Sequence, residues 1–370
     1  MPSFAMKVYD LQWFTSYGMS YDQAAEALAE DGIDTVLAQN RFDPLPSSGV
    51  DQTAYLAAHG ERLAAYEDAA WLDALRRHGI AVIETSAVLF DPPALDRFPD
   101  ARPVNALGQP EAMFDWYAGV CPTAEAYLDW KIGRITRAAR ELRPDGLFLQ
   151  FMRYPGFWEN WTPDYRFTAA DRFCFCDRCR ARFATSLKRP PLSPAEILAE
   201  HRDAWNHWRG ERIVEVVARV GRAAGSLPLM LNTLPFPRSD FNGFDPRREI
   251  AAQDLAALSA VIDRFELMTY LQILNRPVEW VAAAVADARA QVPPEKEIVC
   301  TLQVAPLYLD GVHAGRNRAP NVTAAEIEAA GRTALDAGAD GLVFYHWTDF
   351  LHDEAAGGTK RAALRALTHG

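Results

Sequence analysis

Short apolar runs alternate along the chain with longer segments of helical periodicity. Several of these runs are almost continuous in apolar residues, which is typical of parallel strands that are buried on both faces. We predict eight strands, at Met6–Trp13, Ile33–Ala38, Ile80–Leu89, Gly146–Met152, Leu227–Thr233, Phe265–Tyr270, Ile298–Val304 and Gly341–Trp347.

The segments between the strands carry apolar residues at spacings of three and four, which predicts helices. The predicted helices are Tyr21–Glu30, Glu61–His78, Ala124–Leu142, Pro194–Ala224, Ile250–Asp263, Pro277–Gln291 and Ala324–Ala337. Glycine-bearing turns at 78–80, 144–146 and 338–341 come directly before three of the strands. They indicate the helix-to-strand loops of an α/β repeat.

Eight strands that alternate with helices favour an α/β fold in which a parallel sheet closes into a (β/α)₈ TIM barrel. An open doubly wound sheet is the alternative. It is disfavoured because aromatic residues, and no glycine-rich phosphate turn, follow the first strand. The long connections Gln39–Gly60, Phe90–Pro122 and Tyr154–Ser193 are expected on the carboxyl-terminal face. We predict one barrel domain over residues 1–370, with these loops as insertions.

The formal net charge of the 370-residue chain is −11. An acidic protein repels phosphate backbones, so we expect no nucleic-acid partner. No stretch reaches the ~20 continuous apolar residues of a transmembrane helix, and the amino-terminal residues lack the pattern of a signal peptide. We therefore expect a cytoplasmic protein without a membrane partner.

Three of the five cysteines form a C-x-C-x-x-C cluster at Cys174, Cys176 and Cys179, and Cys121 lies upstream at the end of another long loop. Four thiolates fill the tetrahedral shell of zinc and leave no open position, so they predict a structural zinc. It would join the insertion at about 154–193 to the loop after the third strand. Free or disulfide-bonded cysteines are the alternative. Cys300 lies within an apolar strand and is expected to be a small buried hydrophobe.

The cysteine segment also carries a family resemblance. With its upstream cysteine, Cys174–Phe183 resembles the zinc loop of the family-42 β-galactosidases. The segments 145–155, 253–255 and 268–270 resemble parts of uncharacterised glycosidase-like barrels. The resemblance implies a glycoside-hydrolase-type barrel, a small carbohydrate or oligosaccharide as its partner, and a homo-oligomer.

Two positions depart from the β-galactosidase pattern. Those enzymes carry a catalytic glutamate at the end of strand four and another at the end of strand seven. This chain has Gln150 and Gln303 near the corresponding places. Because an amide can neither donate a carboxylic proton nor act as a carboxylate nucleophile, the two-carboxylate mechanism does not transfer residue by residue.

Three other acids near strand ends are therefore the predicted catalytic residues. Asp10 ends the first strand, Glu84 lies within an apolar strand, and Asp349 follows the eighth strand. A charge at Glu84 is costly unless it is paired. Glu84 is accordingly interpreted either as a proton donor with a raised pKa or as a structural partner of Arg153.

Two further acids are expected to act differently. Glu159 lies on an aromatic loop, where a hydrogen-bonding role at the rim is preferred over that of a loop-borne acid. Glu266 comes early in strand six, which predicts a structural residue deeper in the barrel.

The polar and aromatic residues near strand ends suit a hydroxyl-rich ligand, since sugars present apolar faces to rings and hydroxyls to amides. The predicted substrate-binding residues are Gln150, Arg153, Tyr154, Trp158, Asn232, Tyr270, Gln303, His346 and Trp347. Arg153 also suits a carboxylate on the ligand, such as that of a uronic acid.

Three functions follow, in order of preference. The first is a glycoside hydrolase that acts on a carbohydrate in the cup of the barrel. The second is a barrel that binds sugar without hydrolysing it, because glutamines occupy the expected catalytic positions. The third is a metal-assisted isomerase or lyase acting on a sugar or sugar acid, with Asp10, Glu84 and His346 around a second divalent ion.

Overall fold

The computed structural model describes residues 2–46, 53–225 and 227–370. Eight parallel strands in these residues form a closed barrel in chain order, in which β8 pairs with β1. The strands are β1 (Ser3–Val8), β2 (Thr35–Ala38), β3 (Ala81–Ala87), β4 (Gly146–Gln150), β5 (Leu229–Thr233), β6 (Arg264–Leu267), β7 (Glu297–Gln303) and β8 (Gly341–Tyr345). The predicted (β/α)₈ barrel is confirmed.

Helices surround this barrel and also lie within the long connections. Within the described residues the α-helices are α1 (Gln12–Thr15), α2 (Tyr21–Glu30), α3 (Thr53–Ala64), α4 (Asp68–Arg77), α5 (Ala94–Arg97), α6 (Glu125–Leu142), α7 (Asp177–Ser186), α8 (Pro194–Glu200), α9 (Arg202–Ala224), α10 (Pro246–Glu249), α11 (Leu255–Leu258), α12 (Leu271–Leu274), α13 (Trp280–Arg289), α14 (Ala324–Asp336), α15 (Trp347–Ala355) and α16 (Lys360–Thr368). None of them is both long enough and apolar enough to cross a membrane.

Two predicted helices are divided in the structure, and a third is mostly not helical. The helix expected over Glu61–His78 is two helices, α3 and α4. The one expected over Pro194–Ala224 is broken at His201, whose φ of −129° departs from helical geometry. The prediction over Ile250–Asp263 is wrong except for the single turn of α11. Ala252 has a φ of 56°, and a left-handed residue ends any right-handed helix.

The first and last strands end earlier than predicted. β1 ends at Val8, and the segment that contains Trp13 forms α1. The Trp13 ring packs 4.4 Å from that of Trp71, between the barrel and its outer helices. β8 likewise ends at Tyr345, and Trp347 begins α15. A tryptophan side chain can be buried by a helix as well as by a strand. The apolar pattern alone therefore predicted strands that were too long at both places.

Side chains of the barrel strands alternate between two cores, as the two-residue period of a strand requires. One core fills the barrel interior with Ala5, Leu37, Phe148, Met230, Val299 and Val343. The other, larger core lies between the outer faces of the strands and the helices. Among the described strand residues, those in register with the interior core therefore face the carboxyl-terminal mouth of the barrel.

The connections after β3 and β4 fold against one another on the carboxyl-terminal face. Phe175 donates its backbone N–H to the carbonyl of Val104 at 2.7 Å, and Ala106 donates to Arg172 at 3.0 Å. The connection predicted over Gln39–Gly60 contains residues 47–52, which lie outside the described residues, and its last part belongs to α3. Within the described residues, the segments after β3 and β4 form a large part of the rim.

Candidate active site

A cup of about 430 Å³ opens at the carboxyl ends of the barrel strands. Its polar and charged lining consists of Lys7, Gln150, Arg153, Glu159 and Asn232. Its aromatic lining consists of Tyr9, Phe90, Trp116, Phe151, Trp158, Tyr270, Tyr308 and Tyr345. Cavities of this size, with apolar walls and a few converging polar groups, are typical sites for small molecules.

Five of the predicted substrate-binding residues line this cup: Gln150, Arg153, Trp158, Asn232 and Tyr270. Gln150 ends β4 and donates its side-chain Nε2 to the hydroxyl of Tyr9 at 2.6 Å. Asn232 lies on β5 and accepts the backbone N–H of Phe151 at 3.1 Å. These amides hold neighbouring residues of the wall in place and are themselves within reach of a bound molecule.

The aromatic walls come from several connections. Phe90 stacks on Phe151 with a centroid distance of 4.5 Å, and Tyr270 stacks on Tyr345 at 5.4 Å. Trp116 donates its indole N–H to the Tyr308 hydroxyl at 3.1 Å, which links the loop after β3 to the loop after β7. Rings fixed in this way offer flat apolar faces to a ligand.

Three predicted substrate-binding residues do not reach the cup. Trp347 is buried against Trp13, with ring centroids 5.9 Å apart. Gln303 donates to Gln272 at 2.7 Å and lines a smaller cavity of about 180 Å³ beside α14. Tyr154 is buried, and its ring lies 5.1 Å from the guanidinium carbon of Arg209. Each follows or ends a strand, but none of the three lines the cup.

Glu84, predicted to be catalytic, lies on the outer face of β3. Its neighbours in register, Ala38 and Leu147, belong to the core between barrel and helices, whereas the adjacent Ile83 packs in the barrel interior. Asn40 donates a 2.7 Å hydrogen bond to Glu84 Oε2, and Oε1 has no partner among the described residues. Burial raises the pKa of Glu84 to about 8. The predicted raised pKa is present, but the carboxyl is behind the wall of the cup, and its partner is Asn40 and not Arg153.

Asp10 and Asp349, the other two predicted catalytic residues, lie on either side of His346. Its Nδ1 is 4.0 Å from Asp10 Oδ2 and 3.9 Å from Asp349 Oδ2. Thr348 donates to Asp10 Oδ1 at 2.7 Å, and burial raises the pKa of Asp349. Asp10, Asp349 and His346 thus lie close together, and His346 directly follows Tyr345 of the cup wall.

Glu159 is the acid that lines the cup itself, in a 3-10 turn formed by Trp158–Asn160. Its side chain is buried, and burial raises its pKa to about 7 against the opposing positive charge of Arg153. Tyr308 lines the same cup, and burial and then the charge of Glu159 raise the pKa of its phenol. Sequence reasoning placed Glu159 at the rim, because burial of a loop residue leaves no periodic signal.

Lys7, which sequence reasoning did not select, reaches the floor of the cup from β1. Its ammonium pairs with Glu266 on β6, and the hydroxyl of Thr301 donates to the same carboxylate oxygen. Burial lowers the pKa of Lys7, and the charge of Glu266 opposes that shift. The ammonium also lies 5.3 Å from the centre of the Phe148 ring. Glu266 is deep in the barrel and structural in its contacts, in agreement with the prediction.

The four predicted metal-ligating cysteines come together at the rim. All four sulfur atoms of Cys121, Cys174, Cys176 and Cys179 lie within 4.8 Å of one another. Cys121 Sγ is 3.5 Å from that of Cys179 and 3.9 Å from that of Cys176. Four thiolates around a tetrahedral ion with bonds of about 2.3 Å stand about 3.8 Å apart, so the cluster fits such an ion. Cys300 is buried in β7, away from this cluster, as predicted.

Comparison with known proteins extends the fold assignment. The sequence matches no family model and no curated protein. Among solved structures, it resembles the PgaB (BpsB) glycoside hydrolase domain from Bordetella bronchiseptica, with a TM-score of 0.68 and 14% identity. That match covers 100% of this chain and 99% of the other.

Two β-galactosidases are also similar in structure. The enzyme from the psychrophilic Marinomonas ef1 matches with a TM-score of 0.60 and 14% identity, over 93% of this chain and 54% of that one. A catalytic mutant of Gan42B, a GH42 β-galactosidase from G. stearothermophilus, matches with a TM-score of 0.62 and 12% identity, over 99% and 57%. The chain therefore spans about half of these β-galactosidase chains. At these identities the likeness establishes the barrel fold, which agrees with the glycosidase-type resemblance of the sequence.

Proposed function

We propose that this protein is a glycoside hydrolase that binds a carbohydrate in the cup and uses Glu159 as the proton donor. The observation that carries the proposal is the buried carboxyl of Glu159 among the aromatic rings of the cup, with a pKa of about 7. A carboxyl group with a pKa near neutrality is protonated often enough to act as an acid, as glycoside hydrolysis requires. The fold shared with glycoside hydrolases supports the same class of reaction.

The proposed reaction needs a second group that accepts a proton from the attacking water. In the proposal, Glu159 gives its proton to the glycosidic oxygen while the bond from that oxygen to the anomeric carbon breaks. Water adds to the anomeric carbon, and its proton goes to the carboxylate of Asp349 or Asp10. Burial and then the charges of Asp349, Glu159 and Asp10 raise the pKa of Tyr345, which supports a role for these acids at the same side of the cup. His346 would hold Asp10 and Asp349 in position.

We further propose that the four cysteines hold a structural zinc ion. An all-thiolate shell leaves no open position for a substrate, so the proposed zinc ion would stabilise the structure and take no part in the reaction. The ion would fix the loop that contains Cys121 to the segment that contains Cys174, and these two segments carry Trp116 and Glu159 to the cup. The chemistry would stay with the carboxyl groups.

The test is a screen of aryl glycosides, and of oligosaccharides released from plant and bacterial polymers, with purified protein and its Glu159→Gln variant. The proposal expects release of the aglycone or sugar by the unmodified protein and loss of that release in the variant. A crystal structure with bound sugar then gives the distance from Glu159 to Asp349 across the ring. About 5–5.5 Å indicates retention of configuration and about 6.5–9.5 Å inversion. Binding without turnover would reject hydrolysis and favour a sugar-binding barrel.

A further inference from the structure

Arg153 lines the cup with a buried guanidinium group that forms no hydrogen bond or ion pair with the described residues. Arg153 is 2% exposed, and its Nε and Nη1 are buried without a hydrogen-bond partner in the described part of the chain. Its negative neighbour, Glu159, lies close enough to feel its charge, but the described residues form no ion pair between the two. A buried guanidinium without a counter-charge is destabilising unless something else supplies one.

Two other deeply buried arginines, Arg209 and Arg247, each have at least one partner for the guanidinium, although one nitrogen of each is also buried without a partner among the described residues. Arg209 donates to the carbonyls of Phe173 and Ile250 at 2.6 and 3.1 Å. Arg247 forms an ion pair with Asp287. The second cation of the cup, Lys7, is paired with Glu266. Arg153, which lines the cup, differs from each of them because no described side chain or carbonyl forms a hydrogen bond or ion pair with its guanidinium.

The position of Arg153 is also fixed in advance. Its guanidinium carbon lies 4.9 Å from the centre of the Phe151 ring, and Phe151 is itself stacked on Phe90. A planar guanidinium held against a ring presents its N–H groups in a fixed direction, which matches two oxygens of one anionic group. With Glu159 protonated, the cup carries one uncompensated positive charge.

From this arrangement we infer that the sugar bound in the cup carries an anionic oxygen group, a carboxylate or a sulfate ester, which Arg153 binds through two N–H groups. The inference rests on the proposed function and narrows its substrate class to acidic sugars. The anionic group would form hydrogen bonds with the donors that the fold leaves without partners. The rest of the ring would lie against the aromatic walls. Ionisation of Glu159 would add a negative charge nearby, so binding should weaken at alkaline pH.

The experiment measures calorimetric affinity at about pH 6, one unit below the Glu159 pKa, for methyl β-D-glucuronide, methyl β-D-glucoside and methyl β-D-glucoside 6-sulfate. We expect an anionic ligand to bind about 10- to 100-fold more tightly than the neutral glucoside, as charge-assisted hydrogen bonds provide. The preferred anion distinguishes a uronic acid from a sulfated sugar.

Variants of Arg153 test whether this residue causes the preference for an anionic ligand. In the Arg153→Met variant the ratio of anion to glucoside affinity should fall to about one. The Arg153→Lys variant should retain part of the preference, because lysine keeps the positive charge but lacks the paired N–H groups of the guanidinium. The matched control is Arg166→Met, which removes an exposed arginine of the same connection, outside the cup. Because the unpaired charge is removed, the Arg153→Met variant should unfold at the same temperature or higher.

The binding results distinguish failure of this inference from failure of the proposed function. Equal affinity for the glucoside and both anions, or a preference that survives Arg153→Met, would overturn this inference and leave the sugar-binding cup intact. Failure of a broad sugar panel, acidic and neutral, to bind the unmodified protein would instead reject the proposed function, and this inference with it.

Discussion

Lys7 on β1 and Glu266 on β6 form an ion pair in the interior of the barrel, with side chains that are 1% and 0% exposed. Thr301 on β7 donates to the same carboxylate, and Tyr270 lies 3.4 Å from the Lys7 ammonium. The pair forms the floor of the cup and neutralises both charges where water is excluded. Removal of one partner leaves the other buried and unpaired.

We therefore expect Lys7→Met to destabilise the protein by about 3–5 kcal/mol, the usual consequence of breaking a buried pair from one side. The double variant Lys7→Met/Glu266→Gln should recover more than half of that loss, since neither charge remains. Urea denaturation of the four proteins of the cycle measures the coupling. A double variant whose loss equals the sum of the single losses would show that the two side chains do not depend on each other.

Replacement of Glu159 tests the proposed proton donor. Glu159→Gln keeps the size of the side chain but removes the acidic proton, so kcat/KM should fall by about 10²- to 10⁴-fold. Glu84→Gln is a matched control, because Glu84 is also a buried acid with a raised pKa but lies on the outer face of β3. It should change kcat/KM by less than about threefold, within the effects of substitutions away from a site. Equal losses in the two variants would contradict the assignment.

The pH dependence of hydrolysis should follow the same carboxyl group. Burial raises the pKa of Glu159 to about 7, and the acid is competent only while protonated. The value of kcat/KM should therefore fall tenfold per unit as the pH rises above about pH 7. Initial rates on an aryl glycoside measure this profile. The residual activity of Glu159→Gln should lack the decline, and its persistence there would assign the pKa to another group.

Stability should depend on pH through Glu84. Its pKa is about 8 in the folded protein and 4.5 in the reference state, so between these values the folded state holds a proton that the unfolded state has released. The contribution of Glu84 to stability is present at low pH and is lost as the pH rises toward 8. The unmodified protein should therefore lose about 2–4 kcal/mol of unfolding free energy between pH 5 and pH 8 that the Glu84→Gln variant does not lose. Chemical denaturation at both pH values measures this change, with the half-exposed Glu215→Gln as a control that should show none.

The proposed zinc ion predicts one metal atom per chain in elemental analysis. Cys176→Ser, at the partly exposed ligand, should lower the metal content and reduce the midpoint of thermal unfolding by about 5 °C or more. Cys300→Ser replaces a cysteine that lies outside the cluster, so its metal content should stay at one per chain. Metal-free protein with unchanged stability would argue that the cysteines are free thiols.

The order of strands and helices could be predicted because each barrel unit repeats the same apolar periods. The orientation of side chains within a strand could not. β3 is buried on both faces, so its sequence does not alternate, and nothing in it distinguishes the inward Ile83 from the outward Glu84. The same ambiguity concealed Lys7, whose inward direction follows only from the register of β1 with its neighbours.

Among the loop residues, the sequence predicted the cysteine cluster but not the burial of Glu159. The four cysteines could be grouped because their chemistry restricts their spacing. Glu159 has no such signature, and its burial depends on contacts with distant segments, such as the bond from Arg318 to its carbonyl oxygen. The extent of the single domain over residues 1–370, the homo-oligomer and the cytoplasmic location stay predictions.

The pairing of β8 with β1 has a further consequence for association. Each of the eight strands is hydrogen-bonded on both sides, so the described sheet presents no row of unpaired backbone groups to another chain. Open sheets recruit extra strands at their edges, and this is a common route to aggregation. Copies of this barrel that meet in a crowded solution must therefore recognise one another through side chains on helices and loops. Their contacts would be set by surface chemistry and would leave the sheet intact.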